Sequence, residues 1–320
     1  MRARASSSTS SVRDESASGE VVPFRPMSAK SEVPAAFRNA AGDRGPIGLI
    51  REAISDVLSR RRLVRYLVQA DIHKRGADTI LGNIWWVLDP LLQMVVYAVF
   101  LSIVVRGGPP DCPLFIFAAI LPWKWFSASI TDATASIVRQ DQLIKTIQFP
   151  KIVLPLAATS AGVVSFAFGT VALGIVMLFF SDRISPYLLL IPVIAAVQFV
   201  FTIACSFLVA AGNVFFRDLG NVVGHLLRLV WFMSPGLYSL ATLEQLGVFQ
   251  RNPILITIAN ANPFAILFEA YRMVIYGTPD SPPGPPDFAS LAALLVASIG
   301  LLALTTIVFK RLEPNFAKVV

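Results

Sequence analysis

The side chains able to do chemistry are few in this sequence and widely separated. His73 and His225 are the only histidines, and neither belongs to an evident Ser/His/Asp or Cys/His set. Cys112 and Cys205 lack a second thiol or histidine at ligand spacing, so both read as packing residues and no metal site or disulfide is expected. There is no G-x-x-x-x-G-K-[ST] loop and no H-E-x-x-H; GNVVGHLL at Gly220 lacks the lysine that would hold phosphates. Hydrolysis of ATP by this chain is therefore not expected. What stands out instead is a handful of ions inside apolar runs, where each is costly. Asp89 follows the paired tryptophans of LGNIWWVLDPLLQMVVYAVFLSIVV, Lys124 sits in LPWKWF, Asp132 comes late in the same run, and His225 and Arg228 share a helical face. A proton relay needs several exchangeable groups, and this set is too sparse and mixed in sign. Snorkelling near a helix end accounts for Asp132; for Lys124 it stands level with a lumen-facing reading. His225 and Arg228 are expected to face a protein interior or polar lumen.

Aromatic residues are the richer signal: Trp85, Trp86, Tyr97, Trp123, Trp125, Phe126, Trp231 and Tyr238. Two readings stand for them. An interfacial belt anchors most membrane helices, whereas rings lining a pore would let the C–H faces of sugars slide past. Composition alone does not choose.

The elements that must position these residues are membrane helices. The 320 residues are 55% hydrophobic and only 15% charged, with mean hydropathy +0.66, whereas soluble domains carry about 25% charged residues. Six spans are expected at about 84–105, 113–135, 152–180, 186–212, 222–241 and 287–309, each apolar over roughly 18 residues or more. The net charge of +7 does not point to nucleic acid, because most Lys and Arg lie in the first 75 residues and in short loops. Arg139, Lys145, Lys151, Arg217, Lys310, Arg311 and Lys318 bias one set of loops and the carboxyl end. Arg106, Arg183, Arg251 and Arg272 fall on the other side, so both termini are expected in the cytoplasm.

Residues 1–45 lack an apolar core and are expected to be a disordered cytoplasmic tail, with no secretory signal. Residues 46–80 read as a basic amphipathic helix lying in the membrane interface among the lipids, and 81–320 as the six-helix transmembrane domain. Two segments break the pattern of six rods. RQDQLIKTIQFPKIVLP contains a short amphipathic helix presented to something on the cytoplasmic side. GVFQRNPILITIANANPFAILFEAYRMVIYG is too apolar for an exposed loop and is cut by Pro253 and Pro263, so short re-entrant helices are expected between spans five and six.

Taken in order, LGNIWWVLDPLLQMVVY, FAAILPWKWFSASI, LIKTIQFPKIVLPLAA, NVFFRDLGNVV, WFMSPGLYS, NPFAILFEAYRMVIYG and KRLEPNFAKVV make the chain from about Ile47 onward resemble the membrane subunit of ABC transporters that export polysaccharides such as O-antigen, capsule and teichoic acid. The resemblance implies a homodimer of six-helix permeases in the cell inner or plasma membrane, paired with two separate ATP-binding subunits. ATP and Mg would sit on those subunits, with no cofactor on this chain. A lipid-linked glycan would pass outward along the dimer axis.

For this chain the resemblance implies a channel lined by Trp85, Trp86, Asp89, Tyr97, Lys124, His225, Arg228 and Trp231. Coupling to the ATPase would involve Asp141, Leu143, Ile144, Lys145, Phe149 and Lys151, with Arg217 and Asp218 at a second contact. The outer gate would include Phe249, Phe264, Phe268, Tyr271 and Tyr276. Lys124 departs from the neutral residue expected in LPWKWF; if it faces the lumen, an anionic glycan or lipid phosphate becomes more plausible. On this reading Asn83, Trp85, Trp86 and Asp89 frame the cytoplasmic mouth at the head-group level. Two alternatives remain open: an ABC exporter of lipids or drugs, and a membrane-embedded glycosyltransferase or acyltransferase.

Overall fold

A computed structural model describes residues 45–76, 81–105, 110–146, 149–240, 250 and 252–319. The expected tail lies almost wholly outside the described residues. Regular structure among the described residues is helical throughout.

The amphipathic segment forms two helices rather than one: α1 (Pro46–Ser59) and α2 (Arg61–Gly76). The break falls at Arg60, whose backbone N–H turns back to the carbonyls of Asp56 and Leu58. Leu49 and Ala53 are buried on α1, which packs against the last helix, while α2 lies along α6 (Val153–Met177).

Among the described residues five helices are long and apolar enough to cross a membrane. They comprise α3 (Trp85–Phe100) with its π-helical extension Leu101–Val105, α4 (Cys112–Ser136) and α6. The others are α7 (Ile191–Phe215), preceded by a 3-10 turn, and α11 (Phe288–Val319). Between α4 and α6 lies α5 (Asp141–Thr146), and α7 is followed by α8 (Leu219–Met233). Expected span five is therefore shorter than its apolar pattern suggested. Its 15 residues rise about 22 Å, against roughly 30 Å of hydrocarbon. A sixth crossing exists only if α9 (Pro253–Asn260) and α10 (Pro263–Ile275), bent by 63°, count as one broken span.

The spans are tied by polar contacts as well as packing. Thr159 donates to Ser206 Oγ at 2.8 Å, Gln198 Nε2 to the Pro122 carbonyl at 2.8 Å, and Asn213 Nδ2 to the Thr134 carbonyl at 2.9 Å. Such bonds join helices where burial alone gives no preference between protein and lipid.

Backbone broken at depth must find internal partners, and Arg272 on α10 supplies them. It is only 2% exposed. Its guanidinium donates to the carbonyls of Gly236 at 2.6 Å and Tyr238 at 3.1 Å, just past the end of α8, and lies 3.8 Å over the Phe115 ring. Asn262 adds a second tie, donating to Ser234 Oγ at 3.0 Å while accepting from the Phe264 N–H at 2.9 Å. Glycine suits position 236, because a Cβ there would stand 2.7 Å from the Trp231 ring and force it to shift. Charge pattern had read Arg272 as one of the loop cations that set orientation; it is an internal pin.

Arg183 does similar work at the far end, opposite α5. Its Nε donates to Asp111 at 3.1 Å, and Nη1 donates to the carbonyls of Tyr276, Thr278 and Ser281. Gly277, at φ +80°, makes the turn that brings those carbonyls together. Nearby, Asp287 caps α11 by accepting from Ala289 N–H and Ser290 Oγ, which holds its carboxyl below the usual range.

Arg272→Met is expected to cost roughly 2–4 kcal/mol, because the buried Gly236 carbonyl and the half-buried Tyr238 carbonyl lose their donor. Thermal unfolding of the purified protein in detergent checks this, and an unchanged midpoint would contradict the pinning role.

Candidate functional site

The isolated ions of the sequence find each other. Lys124 Nζ on α4 pairs with the Asp89 carboxylate on α3. Lys124 is the middle residue of α4, twelve from Cys112 and twelve from Ser136, so about 18 Å of helix separates it from either end. Asp89, by contrast, is only the fifth residue of α3, so the pair joins the opening turns of one span to the middle of its neighbour. Neither side chain is sealed: 60% of Asp89 and 28% of Lys124 is exposed. An ion at the centre of a spanning helix costs about 2.5–3.5 kcal/mol in hydrocarbon, so the exposed part of Lys124 suits polar surroundings better than lipid.

Around the pair is a cavity of about 270 Å³ whose walls include Trp85, Trp86, Trp125 and Gly162. Trp86 is held there edge-to-face on Phe168, ring centres 5.1 Å apart. Of the proposed channel residues, the structure brings Trp85, Trp86, Asp89 and Lys124 together. Tyr97 lies one layer away, its ring 6.0 Å from Trp231. Trp231 is buried, packed on Trp123 at 5.4 Å and Phe268 at 5.9 Å, and belongs to the subunit interior. His225 and Arg228 are exposed on α8 outside that cavity.

The exposed face of α3 is apolar, with Leu92, Val95, Val96 and Val99, whereas α8 exposes Leu226, Leu229 and Phe232 beside His225 and Arg228. Such contiguous apolar surfaces suit burial against lipid or a second protein surface.

At the α5 end the proposed coupling residues divide. Ile144 is buried and Phe149 half-buried in a core cluster with Phe207 and Phe309, and Leu143 is half-buried. The apolar side of α5 therefore faces inward. Lys145 is exposed and bridges to Asp141 at 3.3 Å. Arg217 and Asp218 are exposed at the turn between α7 and α8. Lys151 is half-buried, and its backbone N–H donates to Glu313 Oε1 at 2.5 Å.

That carboxylate belongs to a network the sequence did not reveal. Lys310 Nζ, its side chain 4% exposed, pairs with Asp56, with Glu52 at 3.6 Å and with Glu313 at 2.9 Å. A lysine closing an apolar run had read only as a topology signal. The carboxylates at positions 52 and 56, one helical turn apart on α1, were the available clue.

The proposed gate residues Phe264, Phe268, Tyr271 and Tyr276 are all buried, and Phe249 lies outside the described residues. Tyr276 donates its hydroxyl to the Pro110 carbonyl at 2.9 Å. These rings pack the bundle, while the free apolar surface of the bent pair is on α9, at Ile254, Leu255 and Ile258. Among the described residues no group of three or more His, Cys, Asp and Glu is arranged to hold a metal ion.

Several apolar helices of spanning length define a multi-pass membrane protein. No protein-family model matches the chain. It is 30% identical over 272 residues to the O-antigen export system permease protein RfbA of Myxococcus xanthus, covering 85% of this chain and 99% of that protein. Two proteins of the same name from Klebsiella pneumoniae are each 26% identical, over 259 and 260 residues, covering 80% of this chain and 94% of theirs. The chain belongs to the family of O-antigen export permeases of ABC transporters.

Asp89→Lys alone places two cations together and is expected to lower stability by roughly 1–2 kcal/mol. Combining it with Lys124→Asp should recover most of that loss. Thermal unfolding of both variants checks the pairing; a double variant no more stable than the single would contradict it.

Proposed function

We propose that the chain is the transmembrane subunit of an ATP-driven exporter that carries a lipid-linked polysaccharide out of the cytoplasm. The observation that carries this reading beyond the family relationship is the exposed Asp89–Lys124 pair, half-way along α4 beside Trp85 and Trp86. Charges at that depth are stabilised by water or by hydroxyl groups, and indole rings offer sugars a surface without tight binding.

Two copies meet along α3 and α8, burying their exposed apolar faces and enclosing the glycan path between them. In each copy the bent α9–α10 pair serves as the outer gate through Ile254, Leu255 and Ile258. The buried Phe264, Phe268, Tyr271 and Tyr276 hold that gate in position from within the bundle. His225 and Arg228, exposed on α8, contact the glycan on the same path, and Trp231 fixes the wall behind Tyr97.

Hydrolysis of ATP takes place on two separate subunits that also hold the Mg ion. They dock on the cytoplasmic end at Asp141, Lys145 and Lys151, with Arg217 and Asp218 as a second contact. The buried Ile144 and Phe149 then transmit the push into the bundle, because a packed core moves with the segment anchored in it. Both termini are cytoplasmic, and α1 and α2 lie in the interface with Arg61, Arg62 and Arg65 toward anionic lipid.

Depletion of the protein in its own cell should abolish surface polysaccharide and build up its lipid-linked form inside. Unchanged surface polysaccharide, or no internal accumulation, would contradict the reading. Lys145→Glu with Lys151→Glu should leave ATP hydrolysis running while export stops; paired assays of hydrolysis and surface glycan check it, and normal export in that variant would remove the docking assignment.

A further inference from the structure

We infer that Lys310 is a positioning residue of the transport cycle: it holds α1, the opening of α6 and the end of α11 in one register, so that a push received at α5 moves α1 as well. The inference rests on the reading that ATPase subunits act at the α5 end. It adds which groups carry their push to the helix at the membrane surface.

Three elements meet at one ammonium. Lys310 stands twenty-two residues after Phe288 on α11, so about 33 Å of helix separates them, past the roughly 30 Å of hydrocarbon. Its side chain is nevertheless only 4% exposed and faces three carboxylates. Asp56 and Glu52, the latter at 3.6 Å, come from successive turns of α1, and Glu313, at 2.9 Å, from the next turn of α11. Glu313 also accepts the Lys151 N–H at 2.5 Å. That N–H stands just before α6, where it has no helical partner of its own and where a carboxylate suits the helix dipole.

An independent observation is what lies beside this node. One apolar cluster contains Ala53 of α1, Ile144 of α5, Ile152 at the start of α6, and Phe309 and Phe316 of α11. Phe309 meets Phe316 edge-to-face at 5.3 Å and lies 5.7 Å from Phe207 of α7. The same elements are thus joined twice, once by packing and once by charge. Apolar attraction is non-directional and leaves packed helices free to slide, whereas buried charges fix register. Opening the node would leave an ammonium and its carboxylates unpaired in a site nearly closed to solvent, so it stays closed while the elements move.

The break at Arg60 lets α1 follow. That residue leaves the helical region between α1 and α2, and the node grips Asp56 one turn before it. A displacement at the α6 opening is therefore relayed to α1, which turns about Arg60 with its buried Leu49 and Ala53 kept against α11.

Replacing Lys310 itself would leave three carboxylates facing one another and threaten the fold, so the test cuts only the α1 arm. Glu52→Gln with Asp56→Asn keeps Lys310 paired with Glu313. In liposomes that hold the permease with its ATPase, this double variant should keep ATP hydrolysis within about twofold of wild type while glycan exported per ATP falls about tenfold, the size of a lost coupling energy. Asp56→Glu, which retains the carboxylate, should export within about twofold of wild type. Elution volume and unfolding midpoint establish that the complexes are folded. Wild-type export per ATP in the double variant, the same tenfold loss in Asp56→Glu, or hydrolysis and export falling in equal proportion would overturn the positioning role, the last by showing that the node only holds the fold. A wild-type complex that hydrolyses ATP and exports no glycan is a distinct result: it removes the export reading and takes this inference with it.

Discussion

The bundle depends on how it satisfies backbone that stops being helical at depth. α8 ends at Met233, too early to complete a crossing, and the chain beyond it turns through Ser234, Pro235 and Gly236, all buried. Carbonyl groups freed there have no water to turn to if the segment lies in a membrane. Arg272 answers two of them with one planar guanidinium, which is why arginine suits the position and a lysine point charge would not.

Much of the remaining architecture follows from that pin. With α10 held against the end of α8, Phe264 and Phe268 enter the bundle and meet Trp123 and Trp231. This aromatic layer fixes α4 against α8, and through Tyr97 it fixes α3 as well. With their inner faces taken up by the layer, α3 presents apolar surface outward and α8 a mixed surface that carries His225 and Arg228. The same arrangement leaves Asp89 and Lys124 facing each other at the edge of a cavity and not sealed within the core. Rigidity around Trp123 and openness around Lys124 thus come from one packing solution, and a transport path needs both.

Hydrophobic run length located the helices well, because α4, α6 and α7 are uninterrupted stretches whose ends are set by polar or proline residues. It overestimated α8, since Ser234-Pro235-Gly236 interrupts a run whose hydropathy continues beyond it. It also joined α1 to α2, because periodicity does not register one residue whose backbone leaves the helical region at Arg60. The ions were recognised as costly, yet their pairing was invisible: Asp89 and Lys124 are 35 residues apart, and only the antiparallel packing of α3 on α4 joins them. Aromatic residues posed the hardest problem, because a ring that lines a path and a ring that packs a core have the same composition. Trp86 and Trp231 are separated by burial, a property of the fold and not of the residue type.

The most direct test of the account is transport by purified components. The permease and its ATPase would be co-reconstituted in liposomes with lipid-linked polysaccharide on the ATPase side. The account predicts that the polysaccharide becomes accessible to a glycosidase in the lumen only when ATP and both proteins are present. Luminal arrival without ATP, or ATP-driven movement of simple lipids with the polysaccharide left behind, would contradict it.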